Sequence, residues 1–141
     1  MSNATASQAA RRYGPWWTPL AMIAASAAAN LVVRQIALML GPADAAAFMP
    51  LSTPFTTIIF STLGALGAYG VYRLMVRDHE AHARNYLIVA AVVLVVSFAP
   101  DLAFPSQMPG WSPFAIGTLM LMHVVAAAVD VALLFELVTR R

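Results

Sequence analysis

The chain has 141 residues, of which 61% are hydrophobic and only 10% charged, with a mean hydropathy of +0.76. Soluble domains average roughly 45–50% apolar and about 25% charged residues, so the composition excludes an ordinary soluble domain and points to an integral membrane protein. The net charge is +2 and the pI 9.5, but the arginines lie in short segments beside apolar runs, which is the pattern of membrane topology and argues against nucleic-acid binding. The chain has no cysteine and no lysine, which removes disulfide exchange, thiol redox chemistry and a lysine Schiff base from consideration. Abundant alanine, with arginine in place of every lysine, points to a GC-rich bacterial genome.

In chain order, residues 1–15 are small and polar and read as a disordered cytoplasmic tail. Residues 16–141 read as a single domain with four spans, at about 17–40, 54–76, 86–104 and 113–138. Each has the ~20 apolar residues that a helix needs to cross a bilayer core of ~30 Å. Arg11-Arg12, an apolar core and Ala27-Ala28-Ala29 also resemble a secretory signal with a small-residue cleavage site. The apolar run continues through Leu31-Val32-Val33 and on to Leu40, however, and makes a full span. Three spans open on the same start signal, Thr18-Pro19, Thr53-Pro54 and Ser112-Pro113, with a hydroxyl to cap free amides and proline in the first turn. Asp78 is the expected cap of the third span. The linkers 41–53, 77–85 and 105–112 are short, so the expected fold is an all-α antiparallel four-helix bundle.

Orientation follows from the arginines. Arg11 and Arg12 precede the first span, Arg73, Arg77 and Arg84 flank the second connection, and Arg140 and Arg141 end the chain. By the positive-inside rule both termini and the second connection are cytoplasmic, in a bacterial inner membrane. Trp16 and Trp17 then mark the inner interface and Trp111 the outer one.

Arg34 breaks this rule by lying inside the first span. At ~1.5 Å per residue it falls roughly 9 Å inside the outer edge, with Asp101 at about 5 Å and Asn30 and His123 near 15 Å. Ser26, Asn30 and Arg34 recur every four residues and share a helix face. The expected binding cluster is therefore Arg34, Asn30, Asp101 and His123, with Arg34 and Asp101 as a buried ion pair between the first and third spans. Thr57 and Ser61 add hydroxyls. Alternatives stay open: a purely structural pair, Arg34 snorkelling to the surface, or a third span ending at Ser97 with Asp101 in the loop. Pro100 removes a backbone bond beside Asp101.

Asp130 lies seven residues beyond His123, about 10 Å further along one face, with Arg73, Tyr69 or Tyr72 as expected partners. It is either a structural pair or part of a proton or ion path through Asp130, His123 and Asp101. One intramembrane histidine is insufficient for haem without a methionine or a second chain. His79 and His82 in a solvated turn lack further ligands. No cofactor and no metal is expected. Gly64, Gly67 and Gly70 are read as surfaces for close helix approach inside the bundle; a homo-oligomer or a larger membrane complex is the alternative, with membrane lipids as the general surroundings.

Ala29-Asn30, Ser97-Phe98-Ala99-Pro100 and Leu121-Met122-His123-Val124-Val125 resemble a family of small actinobacterial four-span membrane proteins of unknown function. The resemblance covers nearly the whole chain and implies the four-span fold but no activity and no catalytic residues. A small apolar or hydroxyl residue follows that proline in the family, so Asp101 departs from its pattern, which weakens a family-wide Arg34–Asp101 role.

Two function classes follow. The first is a non-enzymatic membrane protein, either an accessory or assembly subunit or a small transport or permeation unit using the polar cluster. The second is an intramembrane enzyme acting on a lipid or terpenoid, with Asp101 and His123 as catalytic acid and base, and Arg34 and Asn30 holding an oxyanion.

Overall fold

A computed structural model describes residues 16–78, 83–103 and 106–139. The expected disordered tail at 1–15 and the histidine turn at 79–82 lie outside the described residues. Five helices follow in order: α1 (Thr18–Leu40), a short α2 (Met49–Ser52), α3 (Pro54–Asp78), α4 (Ala83–Leu102) and α5 (Pro113–Leu134). A 3-10 turn at Ala45–Ala47 precedes α2, and a wider π turn at Phe135–Thr139 extends α5. α1, α3, α4 and α5 are each long and apolar enough to cross a membrane.

The helix starts follow the expected signals in two cases of three. Thr53 Oγ1 accepts from the Thr56 amide at 3.3 Å and Ser112 Oγ from the Ala115 amide at 3.1 Å. Thr18 does not cap. Trp17 occupies that position, and Thr18 lies inside the helix, fully buried, with an unpartnered hydroxyl. Asp78 closes α3 and so does not open the next helix, which begins at Ala83. Helix α4 runs through Pro100 to Leu102, so Asp101 belongs to the helix and not to a loop.

The distribution of side chains is inverted relative to a soluble protein, where charged and amide residues are rarely buried and large apolar residues fill the core. Here the buried set includes Ser26, Asn30, Arg34, Thr57, Ser61, Asp101 and Asp130, while Val32, Ile36, Phe55, Phe60, Leu63, Val92 and Val95 face outward. That is the arrangement of an integral membrane bundle, with apolar residues meeting lipid and polar residues meeting one another.

Packing is uneven. α1, α3 and α5 form a tight core, and α4 packs on α5 while scarcely touching α3. Only 11% of the apolar stretch of α4 is buried, against 28% for α1 and α5, so α4 is the peripheral helix. Two apolar clusters lie at opposite ends of the bundle. Met22, Ala65, Tyr72, Tyr86 and Leu134 fill the end carrying the termini. Phe48, Leu51, Ala115, Ile116, Leu119 and Met122 fill the other. The polar residues lie between these layers.

The first connection is no plain linker. Phe48 and Leu51 are fully buried and bring α2 down onto α5. Arg34 secures it, donating from Nε to the Leu51 carbonyl at 2.9 Å and from Nη2 to the Ser52 carbonyl at 3.2 Å. The ion pair expected with Asp101 does not form. The last carbonyls of a helix lack intrahelical partners and carry partial negative charge, and α2 ends within reach of a residue on α1, whereas Asp101 belongs to the peripheral helix.

Arg34→Leu leaves two carbonyls without their charged donor. A loss of about 1.5–3 kcal/mol is expected, read as a lower thermal midpoint in detergent. Adding Asp101→Leu is expected to restore nothing; a double variant as stable as the parent would establish the ion pair instead.

Candidate functional site

Ser26, Asn30 and Arg34 lie on one face of α1 and are all buried. Ser26 Oγ donates to Asp130 Oδ1 at 2.7 Å, and Asn30 Nδ2 donates to Ser61 Oγ at 3.0 Å. Asp130 was expected to meet Arg73, Tyr69 or Tyr72; α1 supplies a partner through Ser26. The Arg73 guanidinium lies 6.0 Å from the centre of the Tyr69 ring.

Asp101 meets His123 in place of the Arg34 anticipated from the sequence. His123 Nδ1 lies 3.0 Å from Asp101 Oδ2 and 2.9 Å from the Leu119 carbonyl. Both neighbours are acceptors, so the network assigns the proton of the neutral ring to Nδ1. That one N–H lies between two acceptors, and Asp101 Oδ2 keeps open acceptor capacity. Phe98 on α4 closes edge-on against the imidazole, with centroids 6.2 Å apart.

Where α3 and α4 fail to pack there is a cavity of ≈ 350 Å³. Thr57, Phe60, Ser61 and Gly64 of α3 line one wall, and Ser97, Pro100 and Asp101 of α4 the opposite one. Leu119, Met122, His123 and Ala126 of α5 form the floor with Asn30 of α1, and Pro50 of α2 covers the end. Phe60, Gly64 and Pro100 are exposed on its rim, so the cavity opens sideways between α3 and α4. Nearer the termini the two helices do meet, through an edge-on Tyr72–Tyr86 contact at 5.5 Å.

Four buried side-chain polar atoms among the described residues lack a hydrogen-bond partner, on Thr18, Asn30, Thr57 and Asp101. The last three, Asn30 Oδ1, Thr57 Oγ1 and Asp101 Oδ2, belong to residues lining this one cavity. Burying an unmatched polar group costs about 1–3 kcal/mol. Among the described residues, no group of three or more His, Cys, Asp or Glu is positioned to hold a metal ion.

A family described as "Family of unknown function (DUF6069)" matches residues 10–140. The chain belongs to the DUF6069 family. Comparison with curated proteins and with solved structures finds no match.

Of the expected cluster, Asn30, Asp101 and His123 come together around the cavity, joined by Thr57 and Ser61, while Arg34 is engaged with α2 and Asp130 with Ser26. The glycines depart from expectation. A Cβ built at Gly64, Gly67 or Gly70 meets nothing within 4 Å, so these positions make no close approach inside the bundle, and Gly64 instead widens the mouth of the cavity. Sequence reasoning did not find the Leu51 and Ser52 carbonyls or the Phe98 contact.

Ser26→Ala leaves Asp130 buried without its donor. The double-mutant cycle of Ser26→Ala with Asp130→Asn is expected to give a coupling of about 1–2 kcal/mol in detergent unfolding; additive effects would show that the 2.7 Å contact contributes nothing to stability.

Proposed function

We propose that this chain is a small non-enzymatic membrane protein that holds an amphipathic molecule between α3 and α4. It would act as a transport or permeation unit or as the ligand-binding subunit of a larger membrane complex. One observation carries this reading: one largely apolar cavity of ≈ 350 Å³ is lined by Asn30 and Thr57, each with an unpartnered polar atom, and by the Asp101–His123 contact. Small-molecule sites are mostly apolar clefts of about 300–1,000 Å³ with a few convergent polar groups. A sideways mouth suits a ligand that arrives through the lipid. The arginine distribution supports a bacterial inner-membrane orientation with both termini cytoplasmic, which puts the cavity in the outer half of the bilayer.

A second reading, an intramembrane acid–base enzyme acting on a lipid or terpenoid, draws on the Asp101–His123 contact. A carboxylate beside Nδ1 orients an imidazole so that Nε2 can take a proton. The oxyanion donors that such a reaction needs weigh against it. Arg34 is committed to the α2 carbonyls and the Asn30 amide to Ser61.

Purification in mild detergent followed by solvent extraction and mass spectrometry tests the first reading. A defined small amphiphile is expected to copurify in about equimolar amount and to be lost in Gly64→Phe, whose ring enters the mouth where nothing obstructs a side chain. Wild-type protein that carries no such molecule, together with Gly64→Phe of unchanged lipid content, would remove the ligand-binding reading. Conversion of the extracted molecule by the wild-type protein, abolished in His123→Ala, would favour the enzyme.

A further inference from the structure

The polar lining of the cavity is rich in acceptors. Asn30 Oδ1 and an ionised Asp101 carboxylate can only accept hydrogen bonds, while the unpartnered Thr57 hydroxyl can accept or donate. Asn30 and Arg34 each direct donors to partners within the bundle. Asn30 Nδ2 donates to Ser61, and Arg34 Nε and Nη2 donate to Leu51 and Ser52. His123 Nδ1 faces the Leu119 carbonyl and Asp101. No lysine or arginine is among the described lining residues, and Asp101 is the sole acidic one.

We propose that the cavity takes an amphiphile whose head is a primary ammonium, with its apolar chain leaving between α3 and α4 past Phe60. This rests on the reading of the cavity as a ligand site. An ammonium presents three N–H donors and no acceptor, which suits a lining whose one acidic residue is Asp101 and which adds the Asn30 amide oxygen and the Thr57 hydroxyl. Its charge meets the Asp101 carboxylate, and charge-assisted hydrogen bonds are about twice as strong as neutral ones. A hydroxyl head brings one donor and no charge to set against the carboxylate. A phosphate or carboxylate head brings a second negative charge beside that carboxylate. The walls suit a chain: Leu119, Met122 and Phe60 are apolar, and Gly64 leaves the exit wide.

The test is thermal unfolding of the full chain in a neutral maltoside detergent at neutral pH, titrated separately with dodecylamine, dodecanol and dodecyl phosphate. Dodecylamine is expected to raise the midpoint saturably, dodecanol to need roughly tenfold more or beyond, and dodecyl phosphate to give no specific shift. Asp101→Asn is expected to weaken dodecylamine by roughly tenfold or more while sparing dodecanol. Thr57→Val removes one acceptor without altering charge and is expected to weaken dodecylamine several-fold, which keeps the test available if Asp101→Asn cannot be purified. Gly64→Phe is expected to abolish the response to all three. Dodecanol or dodecyl phosphate binding as tightly as dodecylamine, in a manner lost in Gly64→Phe, overturns the ammonium head and leaves the ligand pocket standing. So does dodecylamine binding that neither Asp101→Asn nor Thr57→Val weakens. Absence of saturable binding by any of the three, or binding that Gly64→Phe leaves unchanged, overturns the pocket as well.

Discussion

One face of α1 decides how the bundle assembles. Ser26, Asn30 and Arg34 stand a helical turn apart, and each hydrogen-bonds to a different element: Ser26 to α5, Asn30 to α3 and Arg34 to α2. Apolar surface cannot make this choice in a bilayer, because lipid tails are as apolar as leucine and reward no particular helix contact. Polar groups can, since a half-turn of α1 would present an amide, a hydroxyl and a guanidinium to hydrocarbon together. A slip of one turn, ~5.4 Å, would break all three bonds. Both the rotation and the depth of α1 are therefore set by this face, and the two apolar layers close around the result.

Arg34 shows how a membrane bundle accommodates a charge without an acid. Its partners are the closing carbonyls of a four-residue helix, which nothing inside that helix can satisfy. The guanidinium fork suits two neighbouring acceptors, and its diffuse charge is the least costly cation to strip of water. A helix this short has negligible stability alone. The buried Phe48 and Leu51 side chains and the Arg34 bonds together hold it, and with it Pro50, over the end of the cavity.

The four apolar helices, their bundle and the placement of Asn30, Asp101 and His123 around one cavity were legible because each rests on local pattern: apolar length, linker length and four-residue spacing. Partner assignment failed where depth had to be inferred. Counting from span ends put His123 about 10 Å deeper than Asp101, yet the two touch, because α4 is short and ends at Leu102 while α5 begins only at Pro113. Helices that end at different planes defeat a count that assumes one plane. Carboxylates were also favoured as partners for Arg34, since a sequence displays charged side chains and hides backbone carbonyls. The one sign of α2 was the apolar, proline-bearing run Phe48-Met49-Pro50-Leu51, too short for any periodicity. Gly64, Gly67 and Gly70 misled for the opposite reason: small residues permit close approach but do not say which helix, if any, arrives.

What packing alone leaves unexplained is the gap beside α4. Side chains that met across α3 and α4 would gain dispersion contacts that a cavity forgoes, and a larger residue at position 64 would find room to make them. Separately, Asn30 and Thr57 each hold a polar atom without a hydrogen-bond partner, and Asp101 Oδ2 has only the shared His123 N–H beside it. Either feature alone lowers stability and would pass as an imperfection of a marginally stable bundle. Their coincidence is harder to ascribe to imperfection, because the unfilled wall and the unmatched atoms belong to the same ≈ 350 Å³. A protein breaks local rules of packing and polar satisfaction chiefly where it has a site. The mutual support of Asp101, His123, Leu119 and Phe98 holds the polar end of that gap together, the kind of preorganisation that the proposed ligand site requires and that a packing defect does not.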